Sequence, residues 1–461
     1  MKIKFQNVTN LLIIFSISSF IFLWGYSYPY NFNYIILINS LILLIFNFWK
    51  KNLKLFNNDT SIAIFLLIHF FIVAIIIQEL NFQALKFIGV VFLISYFIYY
   101  NKNFIFDNLK LIIDLFLIIF FINIFYDIFY IGINQNFHLR KDFLLFPEKG
   151  YLDFQDSIFN CKYSYFRAEE KFNYLIFKEI SHFGMIAPAV ILAKVLFLKK
   201  ENLISNLFLL LFCMFTILFF STSLIFCLMI SSVFFIFFMK KNMDLPKISI
   251  LLSIIIFCTF TLIFNNSCNT KISDTLNLFK NNIDKFIFKS KKNDEIIVTV
   301  PKNLYENKNS KFYKWESKYF PNLSSAVLFN SFLISFEALE KSLIGFGFNN
   351  YEIASKLYFD NSSKKLKNIG KNGIDRIKNY NLKDGSNNLA KLIAEFGILS
   401  ILLIFLVIKF MKNPNISPEN KIFYITLFLS QLVRGAGYFN GGFIFAILIM
   451  ISSLSIKKKN D

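Results

Sequence analysis

The chain keeps returning to apolar runs of roughly 17–22 residues broken by short polar links, the length an α-helix needs to cross a hydrocarbon layer. Such runs lie near 10–28, 34–49, 61–77, 85–100, 110–132, 182–198, 203–220, 223–239, 248–264, 388–411, 421–434 and 439–455. A water-soluble domain must cover its surface with polar groups, yet hydrophobic residues make up 56% of the 461 here. The pattern predicts an all-α polytopic membrane protein with about twelve transmembrane helices. Lys2 and Lys4 precede the first run as they would in a signal peptide. No small-residue cleavage site follows, so the run reads as an uncleaved anchor.

The formal net charge of +20 invites a nucleic-acid reading, but its distribution argues otherwise. Lysines cluster in alternate short links: Lys50, Lys51 and Lys54; Lys102; Lys199 and Lys200; Lys240, Lys241 and Lys247; Lys409, Lys412 and Lys421; and Lys457 to Lys459. The intervening links "PYNFN" (29–33), "QELNFQ" (78–83) and "GYFNGG" (437–442) contain none. This is the positive-inside pattern, and it puts both termini in the cytoplasm. The excess charge is an orientation signal, and no basic stripe interleaved with aromatics predicts a nucleic-acid partner.

Two outward segments interrupt the rhythm, one near 133–181 and a larger one at 265–387. The expected organisation is therefore a bundle of about nine spans over 1–264, a large exoplasmic loop at 265–387 between spans 9 and 10, and C-terminal spans over 388–461. A loop that long is seldom idle. Within it, "AVLFNSFLISFEALEK" (326–341) spaces its apolar residues like an amphipathic helix, and "GFGFNN" (345–350) reads as a turn. The Lys-, Asn-, Ser- and Gly-dense tract 359–385 reads as flexible.

Arginine is scarce beside the many lysines: only Arg140, Arg167, Arg376 and Arg434 occur, all on the predicted outer side. An arginine kept in a lysine-rich chain points to a need for its planar fork, which grips phosphate oxygens in pairs. Arg434 closes an apolar run beside Gly435, Gly437, Gly441 and Gly442. Glycines let backbone amides approach an anion and let helices pack closely. Two readings stand: an inward arginine that binds an anion, or one that snorkels to the headgroup level.

A second cluster, at 165–190, holds Arg167, Glu179 and His182. Glu179 and His182 are three apart and share a helix face, and a carboxylate beside an imidazole suits proton removal from a hydroxyl. An interfacial pair that simply ends a helix would look the same. A third cluster, "DGSNNLAKLIAEFGILS" (384–400), sets Asn388, Lys391 and Glu395 on one helical stripe. Lys391 and Glu395 read either as an i,i+4 pair or as the lining of a polar cavity inside the membrane. "STS" (221–223) adds Ser223, either as a hydroxyl near the site or as a cap. Cys213, Cys227 and Cys258 fall in apolar runs as packing residues, while Cys161 and Cys268 could pair in an oxidising space. His69, His138 and His182 share no ligand spacing, so no metal site is predicted.

Taken together, "FKEISHFGMIAP" (177–188), "STSLIFCLMISS" (221–232), "KSLIGFGFNNYE" (341–352), "DGSNNLAKLIAEFGILS" (384–400) and "LVRGAGYFNGG" (432–442) resemble the bacterial O-antigen polymerase/ligase superfamily. The similarity is to its Wzy-type polymerases of O-antigen and capsular polysaccharide. It covers the second half of the chain, with topology alone over the first 160 residues. It implies a membrane fold related to the C-type glycosyltransferases, in the bacterial inner membrane with the large loop in the periplasm. The implied activity joins undecaprenyl-diphosphate-linked oligosaccharide repeat units, without cofactor or metal, and a polysaccharide chain-length regulator is an implied partner. The ligases of this superfamily carry a histidine at the end of the large loop, where counting back from Gly397 meets Ser386 in this chain. That departure favours polymerase over the alternative, transfer of O-antigen to the lipid A-core of lipopolysaccharide.

In the resulting scheme Arg434, Arg167 and Arg376 hold the diphosphate, and Asn388, Lys391 and Ser223 complete the substrate site. His182 with Glu179 takes the acceptor's proton, with Glu395 as the second choice of base. No P-loop or dinucleotide fingerprint occurs. A non-enzymatic rival, a flippase for lipid-linked sugars, predicts inverted repeats and broken helices near the midplane, and the sequence suggests neither.

Overall fold

A computed structural model describes residues 5–22, 34–51, 60–77, 82–118, 180–197, 222–239, 245–268, 323–364, 374, 377–378, 382–383, 385, 387–435 and 437–456. Among these residues the chain is helical and contains no strand. The helices are α1 (Phe5–Phe22), α2 (Tyr34–Trp49), α3 (Ser61–Ile77), α4 (Phe82–Asp107), α5 (Ile180–Phe197), α6 (Thr222–Met239), α7 (Leu245–Cys268), α8 (Leu323–Lys341), α9 (Tyr351–Lys364), α10 (Asn388–Phe396), α11 (Leu402–Lys412), α12 (Pro418–Val433) and α13 (Phe443–Ser453). Two segments, Phe82–Asp107 and Asn388–Lys412, are long and apolar enough to cross a membrane, and several others are shorter apolar helices. The expected run 203–220, most of the outward segment 133–181 and the first part of the large loop lie outside the described residues.

Local chemistry sets the helix ends. Ser417 accepts from the Asn420 amide at the start of α12, and Pro418 occupies the first turn, where its missing N–H costs nothing. The Asn387 side chain caps α10 by accepting from Ala390 N at 2.7 Å. The run expected as one helix near 388–411 is interrupted: α10 ends at Gly397, a 3-10 turn follows over Gly397–Ile401, and α11 resumes. Gly397 has φ 55°, and a Cβ there would overlap the Leu343 carbonyl. The break lets another segment dock against the helix.

Hydrogen bonds and ring contacts orient the helices. Asn420 at the start of α12 donates to Phe106 O at the end of α4 (2.9 Å), and Asn413 after α11 donates to Ser453 O at the end of α13 (2.8 Å). Lys102 reaches Ser455, and Lys194 pairs with Asp114. These contacts define one end of the bundle, which carries Lys102, Lys194, Lys409, Lys412 and Lys421. At the other end Phe87 stacks on Phe439 with centroids 5.0 Å apart, and Gly442 packs on Ile21. Lys86, near the start of α4, is an exposed lysine at this second end.

α12 is the hub. It packs on α5, α6 and α13, and Phe423, Tyr424, Ile425 and Leu427 are fully buried along it. Outward faces are apolar: Ile38, Ile42 and Ile45 on α2, Ile68 and Ile75 on α3, and Ile404 and Phe405 on α11 are all exposed. Water would penalise faces of this extent, whereas lipid tails are their natural solvent.

A second, smaller core lies under α8 and α9, where Phe329, Ile334, Ala338, Phe346, Tyr351, Ala354 and Phe359 pack together and meet the bundle at Ala394. α8 contains the amphipathic helix expected at 326–341. The tract read as flexible from 359 begins as helix, since α9 runs to Lys364. Its inner face buries Ala354 and Phe359, and Glu352 pairs with Lys356 one turn on at 2.7 Å.

Candidate functional site

Three of the stretches singled out by sequence, 345–350, 384–400 and 431–442, come together at the end of the bundle that carries Phe439. The join begins with backbone. Phe346 N donates to Ala394 O (3.0 Å), Gly347 N to Glu395 O (2.8 Å), and Ile398 N to Leu343 O (2.8 Å). Gly345, at φ 78°, lies so close to the Glu395–Phe396 peptide that a Cβ would collide with it. The turn is thus laid directly on the strand of backbone freed by the break in the helix.

Side chains then lock the turn. Glu395 is fully buried, and its two oxygens accept from Tyr351 N (2.9 Å) and Asn349 N (2.7 Å). Because Tyr351 starts α9, the carboxylate supplies the acceptor and the negative charge that a helix N-terminus favours. Lys391, 1% exposed, donates to Asn349 Oδ1 (2.9 Å) and Lys383 O (2.6 Å) and stands 3.8 Å from Glu395 Oε1. Its ammonium also lies 4.8 Å from the centre of the Tyr438 ring. Tyr438 in turn stacks on Phe348, with centroids 5.3 Å apart and planes 6° from parallel. Burial, then the facing Glu395 carboxylate, push the Tyr438 phenol well above its ordinary pKa. It stays neutral and can act as a donor beside the carboxylate.

Asn388 is of a different kind. It is fully buried, yet neither its amide nitrogen nor its amide oxygen has a hydrogen-bond partner. Its amide lies against Gly435, where any Cβ would strike it. Gly435 follows Arg434, which is half-buried in extended backbone at the end of α12, with its N–H donating to Ser430 O at 3.0 Å. Asn388 thus keeps a donor and an acceptor unmet in the interior, packed against the backbone that follows Arg434.

The remaining predicted residues divide into two sets. His182 lies in the first turn of α5, whose far end carries Lys194 at the opposite end of the bundle, so its backbone starts at the same end as Arg434. Ser223 lies in the first turn of α6, one turn before Cys227, whose thiol contacts Ser430 O at 3.6 Å near the end of α12. Glu179, Arg167 and Arg376 lie outside the described residues, as does Cys161. Cys227 and Cys258 are free and buried. Among the described residues no cluster of three or more His, Cys, Asp or Glu could hold a metal ion.

Sequence reasoning did not single out Tyr438, Asn349 or His69 as parts of this region. His69, on α3, holds Ile344 O at 2.9 Å through Nε2 and stacks on Phe396 with centroids 4.9 Å apart. Tyr438 and Asn349 lie inside the stretches "GYFNGG" and "GFGFNN" that drew attention, so the signal was present at the level of the motif. His69 offered none, because its partner is 275 residues away in the chain.

Protein-family models, curated proteins and solved structures yield no match to this chain.

Proposed function

We propose that this chain is a glycan polymerase of the inner membrane, built from about twelve spans, that elongates polysaccharide at the outer face. The donor is a glycan on a polyprenyl diphosphate, and the acceptor is a hydroxyl of the next lipid-linked repeat unit. The observation that carries the reading is the meeting of Arg434, Gly435 and the unpartnered Asn388 amide at the end of the bundle away from Lys102, Lys194 and Lys412. A departing diphosphate needs fixed donors where its charge develops, and the guanidinium fork of Arg434, whose following residue packs on the Asn388 amide, is the group of this region suited to that chemistry. His182 with Glu179 is the proposed base. Glu395 fits that role less well, because both of its oxygens already hold backbone amides.

Arg434→Lys keeps the charge but loses the fork. In a strain lacking the native protein, this variant is expected to reduce long polysaccharide ladders to one or a few repeat units on gels. Ladders of normal length would sink the proposed role of Arg434. Deleting the gene separates the two enzymatic readings: a single repeat on the lipopolysaccharide core marks a polymerase, and a bare core marks a ligase.

A further inference from the structure

The outer face of α11 ends in two charges that the protein does not meet. Phe405, Ile408, Lys409 and Lys412 are all exposed. Residue 405 lies three and four positions before 408 and 409, which in turn lie four and three before 412. Side chains at those intervals are neighbours on a helix, so the four form one contiguous patch. Its apolar half continues into the exposed Leu402 and Ile404. Its basic half closes the apolar segment Asn388–Lys412.

The two ammonium groups are uncommitted. Among the described residues neither Lys409 nor Lys412 has an ion-pair partner. Other lysines at this end of the bundle are engaged: Lys194 pairs with Asp114, Lys102 reaches Ser455, and Lys50 on the edge of α2 lies 4.2 Å over its own Phe46 ring. The surroundings add positive charge. Asn413 and Asn415 donate to Ser453 O (2.8 Å) and Ile456 O (2.9 Å), which fixes the end of α13 against the end of α11. Directly after Ile456 the sequence continues with Lys457, Lys458 and Lys459, outside the described residues.

Two unmet lysines at the foot of an apolar face match a molecule that joins an anion to hydrocarbon. A free anion would leave Phe405 and Ile408 uncovered, and a zwitterionic headgroup would bring its own cation toward the lysines. We propose that this patch binds one anionic phospholipid, with the phosphate between Lys409 and Lys412 and an acyl chain along Ile408, Phe405 and Ile404. α11 buries only Phe410 against protein, so a lipid held on its open face steadies the helix. The inference rests on the membrane-spanning part of the proposed function and is independent of the polymerase chemistry.

The test uses the full chain in mild detergent, with phosphatidylglycerol, phosphatidylethanolamine and inorganic phosphate added separately. Native mass spectrometry is expected to show phosphatidylglycerol retained in preference to phosphatidylethanolamine, and phosphatidylglycerol alone should raise Tm. Lys409→Gln with Lys412→Gln is expected to lower that affinity about thirtyfold, about fivefold for each lysine, and to abolish the rise in Tm. The pair Lys409→Arg and Lys412→Arg should keep both, as should Lys50→Gln with Lys51→Gln on α2. Equal retention of the two lipids by the unaltered protein would overturn the site, and so would undiminished affinity in the α11 Gln pair. An equal rise in Tm with inorganic phosphate would mean a site for free anions and overturn the lipid. A thirtyfold loss in the α2 pair would reveal diffuse attraction to the whole basic end, which also overturns it. Release of the chain from membranes by alkali alone would instead defeat the membrane reading, and the Arg434→Lys ladders score the chemistry, so the three failures are distinguishable.

Discussion

α10 and α11 belong to one continuous apolar run in the sequence, yet they do opposite work. α10 is buried nearly all round and carries Asn388, Lys391 and Glu395 inward, whereas α11 exposes Leu402, Ile404, Phe405 and Ile408 and buries only Phe410. The 3-10 turn at Gly397–Ile401 separates them. On one side polar side chains hold another segment of the chain in place, and on the other an apolar face needs only a solvent of like character. Buried charge in a helix bundle is tolerable when every donor and acceptor is met. Lys391 and Glu395 meet that condition through groups supplied mainly by the turn at 343–351.

The comparison can be broken most severely at Gly397. Gly397→Ala imposes a left-handed backbone on a residue with a side chain and drives that side chain into the Leu343 carbonyl. A loss of about 4 kcal/mol or more is expected, read as a collapse in the yield of monodisperse protein after detergent extraction. Normal yield and an unshifted Tm would mean that the turn does not rest on the helix break.

Glu395→Ala comes next. It strips the acceptor from two backbone amides and leaves the Lys391 ammonium without its nearest carboxylate, a loss of about 3–5 kcal/mol. Limited proteolysis is expected to open the 343–351 segment, and Glu395→Gln, which keeps one acceptor oxygen, should protect it in part. Cleavage equal to wild type in both variants would refute the clamp. The smallest effect belongs to α11. Ile404→Ala removes side chain from a 60% exposed position and should shift stability by about 0.5 kcal/mol or less. A larger fall in Tm would show that α11 packs against protein on a side now open.

Much of the region was legible from residue spacing. The intervals between Asn388, Lys391 and Glu395 put them on one stripe, and the structure buries all three. The helix at 326–341 and the turn at 345–350 followed from periodicity and from glycine. What spacing cannot encode is the partner. Glu395 meets Asn349 and Tyr351 across 46 and 44 residues, and nothing in either segment alone announces the other. The same limit hid the break at Gly397, because a continuous apolar run looks unbroken until a second segment competes for its backbone bonds. It also left α9 undetected, since a polar composition conceals the buried Ala354 and Phe359.

The backbone bonds at Phe346, Gly347 and Ile398 tie the roof formed by α8 and α9 to the helix beneath it through peptide groups rather than side chains. Truncating a side chain in the turn therefore leaves that seam standing, whereas adding one at Gly345 would wedge it open. A force on the roof arrives at Ala394, Glu395 and Ile398 as traction on their own main chain, and roof and floor shift as a unit.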